Sequence, residues 1–147
     1  LKKSKRFQPL ARIAANKEML SAKELGEANN NLIFQKNKLA DLMQYREEYV
    51  LSFKQQGEKG MDGSQLQTYQ KFLANIDNAV VQQKGLISTA ETACEKQKKS
   101  WRSQHTKTKI MDNVIDNYKK DEKNQEHKQE QKDNDERNSR GHSNSDK

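Results

Sequence analysis

Residues 57–64 read GEKGMDGS and gather three of the chain's six glycines into seven positions. Such a stretch cradles a phosphate when it has the form G-x-x-x-x-G-K-[ST] between a strand and a helix, because backbone N–H groups and the lysine then converge on the anion. Here the glycines recur every third residue, no lysine follows the last one, and no strand pattern precedes them. An EF-hand loop is excluded by the missing alternation of oxygen ligands. His105, His127 and His142 stand far apart, without metal-ligand spacing. Cys94 is the only cysteine, so no internal disulfide forms, and it falls on an apolar stripe, where a small buried thiol is the ordinary reading. The acidic residues are scattered among lysines and give no paired-carboxylate pocket. No catalytic residue, cofactor or metal site is therefore expected, and the chain is read as non-enzymatic.

The elements that position these residues follow from composition. Of 147 residues, 31% are apolar and 33% charged, against the roughly 45–50% apolar usage of an ordinary globular domain. The mean hydropathy is -1.30. A thick core is excluded, and an elongated object whose helices each bury one stripe is favoured. Pro9 is the only proline and glycine is scarce outside 57–64, so little interrupts a helix from about residue 10 to residue 118. Nothing approaches the roughly 18 consecutive apolar residues of a membrane span, and LKKSKRFQPL lacks the apolar centre of a secretory signal. A soluble cytoplasmic protein with no direct membrane insertion is expected, and one cysteine agrees with a reducing compartment.

Spacings of three and four from Leu66 visit Tyr69, Leu73, Ile76, Val80, Gln83, Ile87, Ala90, Cys94, Gln97, Trp101, Gln104, Thr108, Met111, Ile115 and Tyr118. A stripe that holds this period so long predicts a left-handed coiled coil, thinned distally by its polar members. Before the glycines, Leu25, Ala28, Leu32, Leu39, Leu42, Met43, Arg46, Tyr49, Val50 and Phe53 share a broader face, interrupted at Gln35 or Lys36. Leu10, Ile13, Ala14 and Leu20 continue it upstream. Two such faces joined by a short connection fold back on each other. The competitor is a parallel dimer of long helices.

The fold class read here is all-α, a long antiparallel two-helix coiled-coil hairpin over residues 1–118 with its bend at about 56–64. In the bend, the glycines supply positive φ, and Ser64 with Gln67 forms a capping box. Residues 119–147 hold as many acidic as basic residues and nothing apolar. They are expected to prolong the helix, fray, and become disordered by about Asn138, serving solvation.

The +7 excess of charge therefore lies before residue 119. It gathers in Lys2, Lys3, Lys5 and Arg6, and in Lys96, Lys98, Lys99, Arg102, Lys107 and Lys109, which an antiparallel pair would bring toward the same end. A basic leucine zipper needs a continuous basic helix before its zipper, whereas these clusters are interspersed with stripe residues. Exposed aromatics for base stacking are few. A solvated face or attraction to an acidic protein surface is favoured over nucleic-acid binding.

The stretch DLMQYREEYVLSFKQQGEKGMDGSQLQTYQKF from Asp41 to Phe72, then LANIDNAVVQQ, and KSWRSQ from Lys99 to Gln104 resemble the flagellar FliJ family, a soluble part of the flagellar type III export apparatus. The resemblance rests on Tyr45 and Tyr49, the glycine-bearing bend, Tyr69 to Phe72, Gln82 and Gln83, and Trp101 with Arg102, and covers most of residues 7–118. It implies a two-helix coiled coil similar to the central stalk of rotary ATPases. It also implies three partners: the hexameric export ATPase ring, which it would bind and stimulate, the cytoplasmic domain of the export-gate membrane protein, and export chaperones that it escorts. The corresponding location is cytoplasmic, peripheral to the inner membrane at the flagellar base. By position in the family, the gate-binding residues would be Lys38, Leu42, Tyr45, Tyr49, Phe72, Ile76, Ala79 and Gln83. Leu42, Tyr49 and Ile76 also fall on the stripes, where simple packing explains them. From position and charge, Lys2, Lys3, Lys5, Arg6 and Phe7, with Trp101, Arg102, Lys107 and Lys109, would meet the ATPase ring. Two readings from other classes remain: a basic coiled coil that binds nucleic acid with steep salt dependence, and a structural coiled-coil dimer.

Overall fold

The computed structural model describes residues 1–145, with side chains described to residue 141. It consists of two α-helices, α1 (Lys3–Glu58) and α2 (Gly63–Ser145), with no strand among the described residues. They pack against each other antiparallel, in agreement with the all-α hairpin read from the sequence.

The connection, residues 59–62, lies inside the expected bend. Lys59 N–H donates to the Gln56 carbonyl at 3.1 Å and Gly60 N–H to that of Gly57 at 3.2 Å. Gly60 takes φ 95°, a left-handed conformation that a β-carbon disfavours. The capping box sits two residues earlier than expected. Asp62 Oδ1 accepts from Gln65 N–H at 2.8 Å, and Gln65 Oε1 accepts in return from Asp62 N–H at 3.2 Å. Asp62 thus satisfies a donor that the first turn leaves open. Ser64 and Gln67 lie inside the helix instead, where Ser64 offers its main-chain oxygen to the Thr68 hydroxyl.

The chain divides into two compact units: a turn unit, Ser21–Trp101, and a terminal unit, Leu1–Leu20 with the chain from Arg102 onward. In the turn unit, Ile76, Ala90 and Cys94 are buried, with Leu25, Ala28, Leu32, Leu39, Leu42, Leu73, Val80 and Ile87 half-buried around them. This is the predicted seam, except that Met43 and Leu66 are exposed. Gln35, rather than Lys36, occupies the interrupted position on α1. Buried Gln83 faces it and donates from Nε2 to the Gln35 carbonyl at 2.9 Å and to Oε1 at 2.7 Å. Burial of an amide is tolerated because its donors are used.

In the terminal unit the structure corrects the upstream stripe. Leu10, Ile13 and Leu20 are 46%, 52% and 57% exposed. The residues turned toward α2 are Phe7, Ala11, Glu18 and, as expected, Ala14, which keep the 3.5-residue phase of Leu25 and Ala28. Opposite them stand Gln104, His105 and Thr108, whose polar groups need partners. The Ala14 carbonyl accepts from Gln104 Nε2 at 3.3 Å and from the Thr108 hydroxyl at 3.2 Å, and Glu18 pairs with His105 Nδ1. The acceptor at Ala14 is a main-chain oxygen, which any residue there would carry, whereas the acceptor for His105 is the Glu18 side chain, which an apolar residue would not supply.

The tail also takes part in the pairing. Glu122 and Glu126 contact α1, so the paired region does not end at residue 118. α2 is described as far as Ser145, past the Asn138 at which disorder is expected. The last stretch of that expectation, residues 146–147, lies outside the described residues.

Candidate functional site

In the turn unit, five aromatic rings alternate between the helices. Phe53 and Tyr69 stack at 3.5 Å between centroids, Tyr49 meets Tyr69 at 5.4 Å and Phe72 at 4.3 Å, and Tyr45 meets Phe72 edge-on at 6.1 Å. Tyr and Phe at i, i+4 on α1 and Tyr and Phe at i, i+3 on α2 produce this ladder, because these spacings share one helix face. Such rings bring large contact area at little entropic cost.

The eight residues expected at the gate contact divide by burial. Ile76 and Gln83 are 6% and 7% exposed, so they hold the helices together. Tyr49 is held between Tyr69 and Phe72. Leu42, Phe72 and Ala79 are half-buried, while Lys38 is exposed and Tyr45 is 51% exposed. Lys38, Leu42, Tyr45 and Gln83 line one shallow groove with Asp41. Phe34, which the sequence reading passed over, touches one of them: it is 54% exposed and carries the Lys38 ammonium 4.8 Å above its ring. The signal was present in the i, i+4 spacing of Phe34 and Lys38. Arg46 and Asp77 join the helices at 2.7 Å.

Of the nine residues expected at the ATPase end, eight belong to the terminal unit. Trp101 falls in the turn unit and is half-buried. In the terminal unit, Phe7 stacks on Tyr118 at 5.4 Å and the Lys3 ammonium lies 5.6 Å from the centre of that ring. Lys5 and Arg6 are exposed. Arg102, Lys107 and Lys109 are exposed on α2, with Lys107 and Lys109 about two to three turns before Tyr118.

The sequence reading missed the acidic partners of this end. Ser4 is only 4% exposed. Glu122 accepts its N–H at 3.1 Å through Oε1 and its hydroxyl at 2.8 Å through Oε2. The first turn of α1 has no acidic residue of its own, so Glu122 supplies from the other helix the negative charge that a helix N-terminus favours. These two bonds hold the Glu122 carboxyl below its ordinary pKa, with Lys2 and Lys119 adding to the effect. Glu126 accepts from the Lys2 ammonium, which raises the lysine pKa. The hydrogen bond from His105 likewise depresses Glu18. The stripe spacing had pointed to Glu122, four residues beyond Tyr118.

Among the described residues no group of His, Cys, Asp or Glu could hold a metal ion, and no helix is long and apolar enough to cross a membrane. The arrangement presents an aromatic surface in the turn unit and a basic one, partly neutralised, in the terminal unit. A family model described as "Flagellar FliJ protein" matches residues 3–147. No curated protein and no solved structure matches the chain.

Proposed function

The chain belongs to the flagellar FliJ family, a non-catalytic component of the flagellar export apparatus, and we propose that it couples the export ATPase ring to the export gate and escorts export chaperones. Family membership across residues 3–147 is the observation that carries this reading. Its antiparallel pair of long helices supports a stalk-like role in the ring, and its location would be cytoplasmic, peripheral to the inner membrane at the flagellar base. The gate contact would use the exposed side of the ring ladder, with Tyr45 and Lys38 foremost and Leu42, Phe72 and Ala79 at its base. Tyr49, Ile76 and Gln83 would act there by holding the ladder. The ring contact would use Lys5, Arg6, Arg102, Lys107 and Lys109 as attraction for an acidic surface, with Lys2, Lys3, Phe7 and Trp101 as supporting residues.

The test is ATP hydrolysis by the same organism's flagellar export ATPase with and without the chain, together with binding of the export gate's cytoplasmic domain to wild type and Tyr45→Ala. Stimulated hydrolysis is expected, with binding of Tyr45→Ala weakened at least about fivefold at unchanged helix content. Neither stimulation nor association with the ATPase would overturn the coupling reading. Unchanged gate binding by Tyr45→Ala would overturn the assignment of the surface.

A further inference from the structure

Of the basic residues at the start of α1, Lys2 already has an acidic partner, and so does the helix N-terminus beside it, while Lys5 and Arg6 are exposed. Glu122 fills the N-terminus of α1 through the Ser4 N–H and hydroxyl, and Glu126 holds Lys2 one turn further along the same face of α2. The contact is specific: Ser4 is buried, and both carboxylate oxygens of Glu122 are engaged. The remaining acidic residues of the tail up to residue 141 are exposed. An acidic protein surface approaching Lys2, Lys3, Lys5 and Arg6 would seek the same N–H group and the same ammonium.

We propose that Glu122 and Glu126 form an intramolecular competitor, which occupies the basic start of α1 and must be displaced before an acidic partner binds there. The proposal deepens the reading of these basic residues as a docking surface and rests on it. The affinity of that surface is set by exchange of one carboxylate set for another, so encounters are reversible and sensitive to the tail. The charge balance of residues 119–147 thereby acquires a use besides solvation: Glu122 and Glu126 are engaged with α1.

The test uses the full chain and a defined acidic probe, poly-L-glutamate, at low ionic strength, so it does not depend on the export ATPase. Glu122→Ala/Glu126→Ala is compared with Glu130→Ala/Glu136→Ala, which removes the same charge from exposed positions of the same helix. Amide hydrogen exchange at Ser4 is followed in each protein. Relative to the charge-matched control, the first variant should bind the probe at least about threefold more tightly and exchange the Ser4 amide faster. Adding Lys2→Gln/Lys5→Gln/Arg6→Gln should abolish the gain. Equal gains in both variants would reduce the effect to net charge and overturn the proposal, as would no gain in either. Loss of ATPase stimulation in wild type with the probe result intact would instead indict the docking partner.

Discussion

Gln83→Ala tests whether the polar pair inside the turn unit holds the helices in register. Gln83 Nε2 donates to the carbonyl and to the side-chain oxygen of Gln35, at 2.9 and 2.7 Å, from a site only 7% exposed. Truncation removes both bonds and leaves Gln35 Oε1 facing an apolar seam. At a net contribution of about 0.5–1.5 kcal/mol per bond, the variant should lose about 1–3 kcal/mol of unfolding free energy. Gln35→Ala deletes the side-chain acceptor but keeps the main-chain one, so it should cost roughly half as much. In a double-mutant cycle the coupling is then the side-chain bond alone, about 0.5–1.5 kcal/mol. Urea unfolding of wild type, both single variants and the double variant, followed by far-ultraviolet circular dichroism, gives these values. Coupling indistinguishable from zero would refute the reasoning, because Gln83 would then tolerate truncation for reasons unrelated to Gln35.

Asp62→Ala should cost about 0.5–2 kcal/mol in the same assay. Ser64→Ala should stay within about 0.5 kcal/mol, and the opposite ranking would return the cap to Ser64. Acid should weaken the terminal unit in a defined direction. Glu18 and Glu122 titrate below their ordinary 4.5 when folded, held down by the hydrogen bonds from His105 and Ser4 respectively. Their stabilising contribution is present above about 4.5 and is lost as pH falls through the lower folded-state values. Glu18→Gln/Glu122→Gln should therefore flatten the pH dependence of stability below about pH 5, and an unchanged slope would exclude both bonds as its source.

The seam of α2 was legible because its apolar residues hold one phase from Tyr69 to Tyr118, and burial there is a property of a single helix face. The start of α1 misled for the same reason. Leu10, Ile13 and Leu20 carry the strongest hydropathy, but of the expected stripe only Ala14 lies on the face toward α2, beside Ala11 and Glu18. Hydropathy along one helix cannot register the side-chain acceptor that His105 meets in Glu18. The cap failed differently. Asp62 with Gln65 and Ser64 with Gln67 both fit the capping pattern, and only the helix start at Gly63 distinguishes them. Of the expected gate residues, Tyr45 and Lys38 are exposed, whereas the burial of Gln83 depends on meeting Gln35 across the pair. Glu122 and Glu126 went unread because a neutral sum conceals which acids face a lysine.

Cys94 has a practical corollary. It is the chain's only thiol and is 3% exposed, enclosed along the seam where α1 passes over α2. A thiol reagent reaches it only when the helices part at that level, so its modification rate clocks the opening of the turn unit. Each molecule therefore carries its own chemical stopwatch, readable by mass without a label, a partner or a substitution.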